Sequence, residues 1–309
     1  MSDAQIDHDG TQVMKVIRLL LVSCGIVLSA LARADTLLVV IPESNSLTVE
    51  FIEQLRDRRS ADSILVHNLA LAGTATAPSA SLLITLGSRS LQWRLEQGLD
   101  TPTIATYVSR SGLTLLGLST LPDSVQLLLA NPQPSRQLRL AALLIPKTLK
   151  VGALYSPKHQ GQLPEWEQSA TALGLNLVSL PLASQKQLGR QLIDLLDSSD
   201  VLMALDDPDI YNADNLKSIL LSSYTRNKVL IGPSAPFINA GSLSTTYSTP
   251  GQMAQSIDKV LGAPWHAGRI RYPQYFSVLS NAQVARSLGF PPPDDDALAE
   301  RLRQQEVGR

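Results

Sequence analysis

The feature that most constrains this chain is a sustained alternation of short apolar runs with stretches of helical spacing. Residues 36–41 form a continuous apolar run stopped by Pro42, the pattern of a strand buried on both faces. A polar turn over residues 43–46 follows, and residues 47–58 then carry Val49, Ile52 and Leu55 at helical spacing. Further strands are expected at 64–69, 81–86 and 102–108, with a helix running from the Gly87 turn through Gln97. The pattern then starts again. A helix at 134–144 leads to a strand at 150–155, a helix at 164–173 ended by Gly174, and a strand at 175–180. A helix at 185–196, a strand at 200–205, a helix at 212–224, a strand at 229–232 and a helix at 250–261 complete it. Strands alternating with helices build βαβ units and therefore parallel sheets. Two successive runs predict an α/β chain of two doubly wound parallel-sheet lobes. Loops gather at the carboxyl ends of parallel strands, so two such lobes leave an inter-lobe cleft suited to a small molecule.

The bulk numbers agree with that architecture and narrow the function. A length of 309 residues suits two lobes, and 44% hydrophobic against 17% charged residues supplies core without a signature of disorder. A formal net charge of -1 gives no electrostatic reason to expect nucleic acid as a partner. The four histidines, His8, His67, His159 and His266, are scattered, and no HExxH, G-x-S-x-G or GxxxxGK motif is present. No catalytic residue, metal site or cofactor is expected.

The N-terminus reads as an address. Lys15 and Arg18 precede an apolar stretch from Leu19 to Leu31, and Ala32-Arg33-Ala34 is a small-x-small cleavage signal. The apolar stretch is too short for a membrane span, which needs roughly 20 residues. Residues 1–34 are therefore expected to be a signal peptide cleaved after Ala34, delivering a periplasmic protein. Leu21-Val22-Ser23-Cys24 also fits a lipobox, so lipidation of Cys24 stands as the alternative.

Strand ends nominate ligand contacts. Gly87-Ser88-Arg89 opens a helix directly after a strand, where backbone N–H groups, a hydroxyl and a guanidinium suit an anion. The plainer reading is a helix cap with an exposed arginine. Ser44 and Asn45 follow the first strand and face the same cleft by topology, or else serve as turn and cap. Tyr107 ends the fourth strand, where core packing competes with a lining role. Asp206, Asp207 and Asp209 cluster around Pro208 after the strand at 200–205, with Tyr211 and Asn212 behind them. Such acids suit an ammonium group or a metal, although no partner carboxylates at ligand spacing appear elsewhere and aspartates also gather at helix starts for capping alone.

The segment from Asp200 to Asn215 resembles the strand, acidic-polar loop and helix of the ABC-transporter substrate-binding protein family, of type I periplasmic fold, in its tryptophan/tyrosine-binder-like branch. The stretch from Val229 to Ser248 is similar to that family's strand-and-crossover element, and the stretch from Phe276 to Gly289 to its closing strand and helix. Residues 134–155 look like the helix and strand that open the second lobe. The resemblance implies a Venus-flytrap binder with a hinge of three crossovers. It implies one lobe of 35–120 plus 246–270, a second of 121–245 plus 271–300, and a tail of 301–309. It adds Ser234 and Phe237 at a cleft-facing strand end, and Tyr247 at the second crossover. Its implied partners are a small-molecule solute and an inner-membrane permease and ATPase. Two departures stand out: Asp209-Ile210-Tyr211-Asn212 replaces the Asp-Asn-Thr of amino-acid-binding members, and Ser234-Ala235 replaces an acidic pair. Ligand class is therefore not carried over. A sensor or accessory protein of the same fold, docking on a receptor or kinase, remains the alternative, and a hydrolase the second.

Overall fold

The apolar run that opens the pattern is a fully enclosed parallel strand. In the computed structural model, which describes residues 35–307 except 74–75, 146 and 148–149, the residues Leu37 to Ile41 are all buried. The expected signal peptide, its cleavage point and Cys24 lie outside the described residues. The strands in chain order are β1 (Thr36–Ile41), β2 (Ser63–Asn68), β3 (Leu82–Leu86), β4 (Thr103–Val108), β5 (Val125–Leu129), β6 (Lys150–Tyr155), β7 (Asn176–Pro181), β8 (Val201–Met203), β9 (Leu230–Ile231), β10 (Ser244–Tyr247), β11 (Ile270–Arg271) and β12 (Ser277–Ser280).

They form two six-stranded sheets, ordered β11-β5-β4-β3-β1-β2 and β12-β10-β9-β8-β6-β7. Every pairing is parallel except β10 with β12. Each sheet is wound the same way: the chain steps outward once, to β2 or β7, then returns past its first strand and continues in the other direction. The reversal lies between β1 and β3 in one sheet and between β6 and β8 in the other. A crevice opens at the carboxyl ends of strands at such a point. The chain passes between the sheets three times, after β5, after β10 and after β11.

Helices cover the sheets because their apolar stripes match. In the Leu188–Ser198 helix the buried residues are Leu188, Leu192, Leu195 and Leu196, a spacing that lines one helical face. The Ser46–Arg58 helix begins with a capping box, in which Asn45 and Thr48 satisfy each other's backbone N–H groups. Its buried stripe is Thr48, Phe51, Ile52 and Leu55, so Val49 faces solvent rather than the core. Phe51 and Leu55 meet Met253, Ala254 and Ile257 of the Pro250–Leu261 helix over the first sheet.

Several elements fall where the sequence did not place them. β5 was not anticipated, and the first sheet takes it in beside β4, so sheet membership runs past the expected boundary at 120. β10 stays in the second sheet through Tyr247, and β11 returns to the first through Arg271. The segment expected as one helix from 185 is a short 3-10 turn, Gln185–Gln187, followed by the Leu188–Ser198 helix. A terminal helix runs over Asp295–Val307, and Leu298, Ala299 and Leu302 bury against Leu140, Phe276 and Val278. Apolar positions at this spacing dock the helix on the second lobe, which removes most of the separate tail expected from 301. Among the described residues no helix is long and apolar enough to cross a membrane.

Candidate functional site

The carboxyl edges of the two sheets meet in a cleft, and side chains from both lobes close it. The Arg110–Leu115 helix follows β4, with Ser109 as its cap accepting from the Gly112 N–H. The next loop across is the one after β8. Asp206 there accepts from the Ser111 N–H at 2.7 Å and from the Ser111 hydroxyl at 2.9 Å. Nearby, Arg110 donates through Nη2 to Glu165 Oε2 at 2.8 Å, and the Tyr272 hydroxyl donates to the same oxygen at 2.7 Å. Glu165 belongs to the Leu163–Ala172 helix of the second lobe, while Tyr272 lies on the third crossover.

A cavity of about 20 Å³ lies between these groups, lined by Arg110, Asn131, Gln137, Gln162, Glu165 and Asp206 among others. A space of that size takes one water-sized group in this arrangement. Arg110 keeps its Nε buried without a hydrogen-bond partner. Burial works against its charge, but contacts with Tyr272 and Glu165 more than offset that and raise its pKa above the ordinary arginine value. The lining therefore offers a fixed cation, two carboxylates and several amides, which suits a small polar solute and carries no nucleophile–base pair.

No family model matches the chain, and no curated relative does. Solved structures do match. The ligand-free, open structure of a substrate-binding protein with adhesive properties from Clostridium difficile is similar at 14% identity. The match covers 84% of this chain and 97% of that one, with a TM-score of 0.62. The fold is that of a type I periplasmic binding protein. A conserved domain protein from Vibrio cholerae matches at 14% identity over 87% of this chain and 98% of its own, TM-score 0.52. A domain in complex with L-Trp from Streptococcus pneumonia matches at 16% identity over 84% and 96%, TM-score 0.50.

On this binding-protein fold the residues nominated from sequence scatter. Ser44 and Asn45 are exposed beyond β1, and Asn45 is occupied as a helix cap. Gly87 has φ +80, a left-handed conformation that suits glycine and starts the Gly87–Glu96 helix at once. Ser88 lies close enough to Gly112 that a Cβ there would meet its hydroxyl at 2.8 Å, so it packs against the Arg110–Leu115 helix. Arg89 is exposed and borders an outer-face pocket with His67 and Trp93, away from the inter-lobe cavity. Tyr107 has φ 56 at a register shift between Thr106 and Val108. Its ring stands edge-on to Phe51 inside the first lobe.

In the second lobe, Asp207 is buried and accepts from the Ser156 N–H at 2.6 Å, fastening the end of β6 to the end of β8. Asp209 stands beside it. Tyr211 is a core residue whose hydroxyl reaches the Met203 carbonyl at 3.4 Å, and Asn212 caps the Ala213–Tyr224 helix. Ser234 accepts the Phe237 N–H through its carbonyl, and Phe237 packs on the second lobe's core. Tyr247 pairs with Ser277 across β10 and β12. None of these thirteen lines the inter-lobe cavity. The residues that do line it are divided between loops after strands, such as Asn131, Asp206 and Pro233, and helices, such as Gln137 and Glu165; of the acidic cluster read from sequence, Asp206 reaches it. Arg110 and Asp206 answer to the rule that nominated Gly87, whereas Glu165 and Tyr272 come from a helix and a crossover.

Proposed function

We propose that this chain is an exported solute-binding protein that closes on a small polar solute between its lobes and presents it to a membrane permease and ATPase of the ABC type. The observation that carries the reading is the polar cavity at the facing carboxyl edges of two parallel sheets joined by three crossovers, with Arg110, Glu165 and Asp206 around it. Three crossovers let the lobes rotate as bodies about a short hinge. The solute enters an opened cleft, accepts from Arg110 and donates to a carboxylate. It is released unchanged, so no reaction is part of this account. Export rests on the N-terminal segment: a positive start, a short apolar stretch and Ala32-Arg33-Ala34.

The test is a thermal-shift screen against amino acids, purines, sugars, short peptides, metal chelates and cobalamin-like compounds. A ligand at about 100 times its dissociation constant adds roughly 2.7 kcal/mol. At this chain length that is a rise of several degrees. A hit whose effect is lost in Arg110→Ala supports the reading, and a hit that is indifferent to Arg110 places binding elsewhere.

A further inference from the structure

One cluster is not used by the cleft. His159 lies on the Pro157–Gln162 3-10 helix just after β6, and Asp207 and Asp209 lie on the loop after β8. Their donor atoms all fall within 4.8 Å of one another. This is the second lobe's winding reversal, between β6 and β8.

The geometry points to a divalent transition-metal site, of the zinc class, formed by His159 Nε2 and the carboxylates of Asp207 and Asp209. Three observations carry it. First, the His159 side chain is 1% exposed and its Nε2 has no hydrogen-bond partner, although it stands 4.0 Å from Asp209 Oδ2. Buried polar atoms are almost always partnered, so an orphaned imidazole nitrogen aimed at two carboxylates asks for an occupant. Second, Asp207 is held in place: Ser156 N–H donates at 2.6 Å, its hydroxyl at 3.0 Å, and the Asp209 N–H at 3.2 Å. Outer hydrogen bonds of this kind orient a carboxylate for a metal. Third, Asp209 is 46% exposed, which leaves an entry path and a ligand able to move. Zinc holds histidine nitrogen and carboxylate oxygen at about 2.0–2.2 Å, so tetrahedral donors stand roughly 3.4 Å apart. Closing the present spacing, at most 4.8 Å, takes shifts of up to roughly 1.4 Å, shared between the half-exposed Asp209 and the His159 and Asp207 side chains. Solvent supplies the remaining position. The bound ion fixes the loop whose preceding residue, Asp206, reaches across to Ser111.

The experiment is a titration of untagged, chelator-stripped protein with Zn²⁺ by calorimetry, and with Co²⁺ by visible absorption. The parent is expected to bind one equivalent and to develop the cobalt bands of low-symmetry coordination. His159→Ala and Asp209→Asn are each expected to bind at least ten-fold more weakly and to lose those bands. Circular dichroism checks both variants, and if the buried His159→Ala does not fold, the exposed Asp209→Asn decides. Absence of binding to the parent overturns the site, as does a folded variant that keeps the parent's affinity.

Discussion

Asp206 in the second lobe accepts both the backbone N–H and the hydroxyl of Ser111 in the first, at 2.7 and 2.9 Å. One carboxylate thereby ties the two lobes together beside the Arg110–Glu165 ion pair, the Tyr272–Glu165 and Gln252–Ser277 hydrogen bonds and the crossovers. Hydrogen bonds to charged groups contribute about 1.5–3 kcal/mol each where water is excluded, and less at a half-exposed edge. That is the scale of an equilibrium between open and closed lobes, so a single side chain is able to bias it.

Glu165 is the second tie, shared by Arg110 and Tyr272. Because both donors use one oxygen, their contributions are coupled. Glu165→Gln and Tyr272→Phe are each expected to lower stability by about 1 kcal/mol. The double variant loses less than the sum by several tenths of a kcal/mol. Guanidinium unfolding of the four proteins measures the cycle.

Tyr107 carries a hydroxyl that is buried without a partner. Burial, aided by Glu50, pushes its pKa up. Tyr107→Phe removes the unsatisfied group and keeps the ring against Phe51, so stability should rise by about 1 kcal/mol. An unchanged or lower urea midpoint would assign the hydroxyl another role.

The same residue marks the limit of what the sequence discloses. The βαβ alternation, the two lobes and most strands are legible because burial on both faces leaves long apolar runs. β5 escaped because its neighbours in sequence are loops without helical periodicity; β9 falls within the strand expected at 229–232, whereas β10 to β12 are too short to carry a pattern. For the site, strand ends were the right places to look, but direction is invisible: a positive φ at Tyr107 turns its ring into the core, while Arg110, three residues on, reaches the cleft. Asp206 and Asp207 are adjacent yet divide the work, one to Ser111 and one to Ser156. His159 joins Asp207 only through the pairing of β6 with β8.

Buried phenols set the alkaline limit. Burial raises the pKa values of Tyr211 and Tyr272 above the ordinary value near 10. The unfolded chain therefore releases these protons first as pH rises. Their contribution is fully present below about pH 10 and is lost as pH climbs toward the folded values. Stability measured by urea unfolding should be flat below about pH 9.5 and then fall, and Tyr211→Phe should make that fall shallower.

The terminal helix is part of the second lobe. Leu302 is 0% exposed, and Arg136 lies 3.7 Å from the Phe276 ring centre while pairing with Glu306 at 2.7 Å. Leu302→Ala should cost about 2–4 kcal/mol, read as a lower thermal midpoint. Ala297→Ser on the exposed side of the same helix should cost well under 1 kcal/mol.

The most direct test of hinged closure is a distance across the cleft. The one cysteine in the sequence, Cys24, can be replaced by serine, leaving Ser44→Cys and Asn239→Cys as spin-label sites, both exposed and beyond strands of opposite sheets. Electron-spin distance distributions would be compared with and without the further change Asp206→Ala. The account predicts that losing the Asp206 carboxylate moves the distribution to longer distances as the lobes open. Superimposable distributions would contradict it, because lobes that stay together without that contact are not held by it.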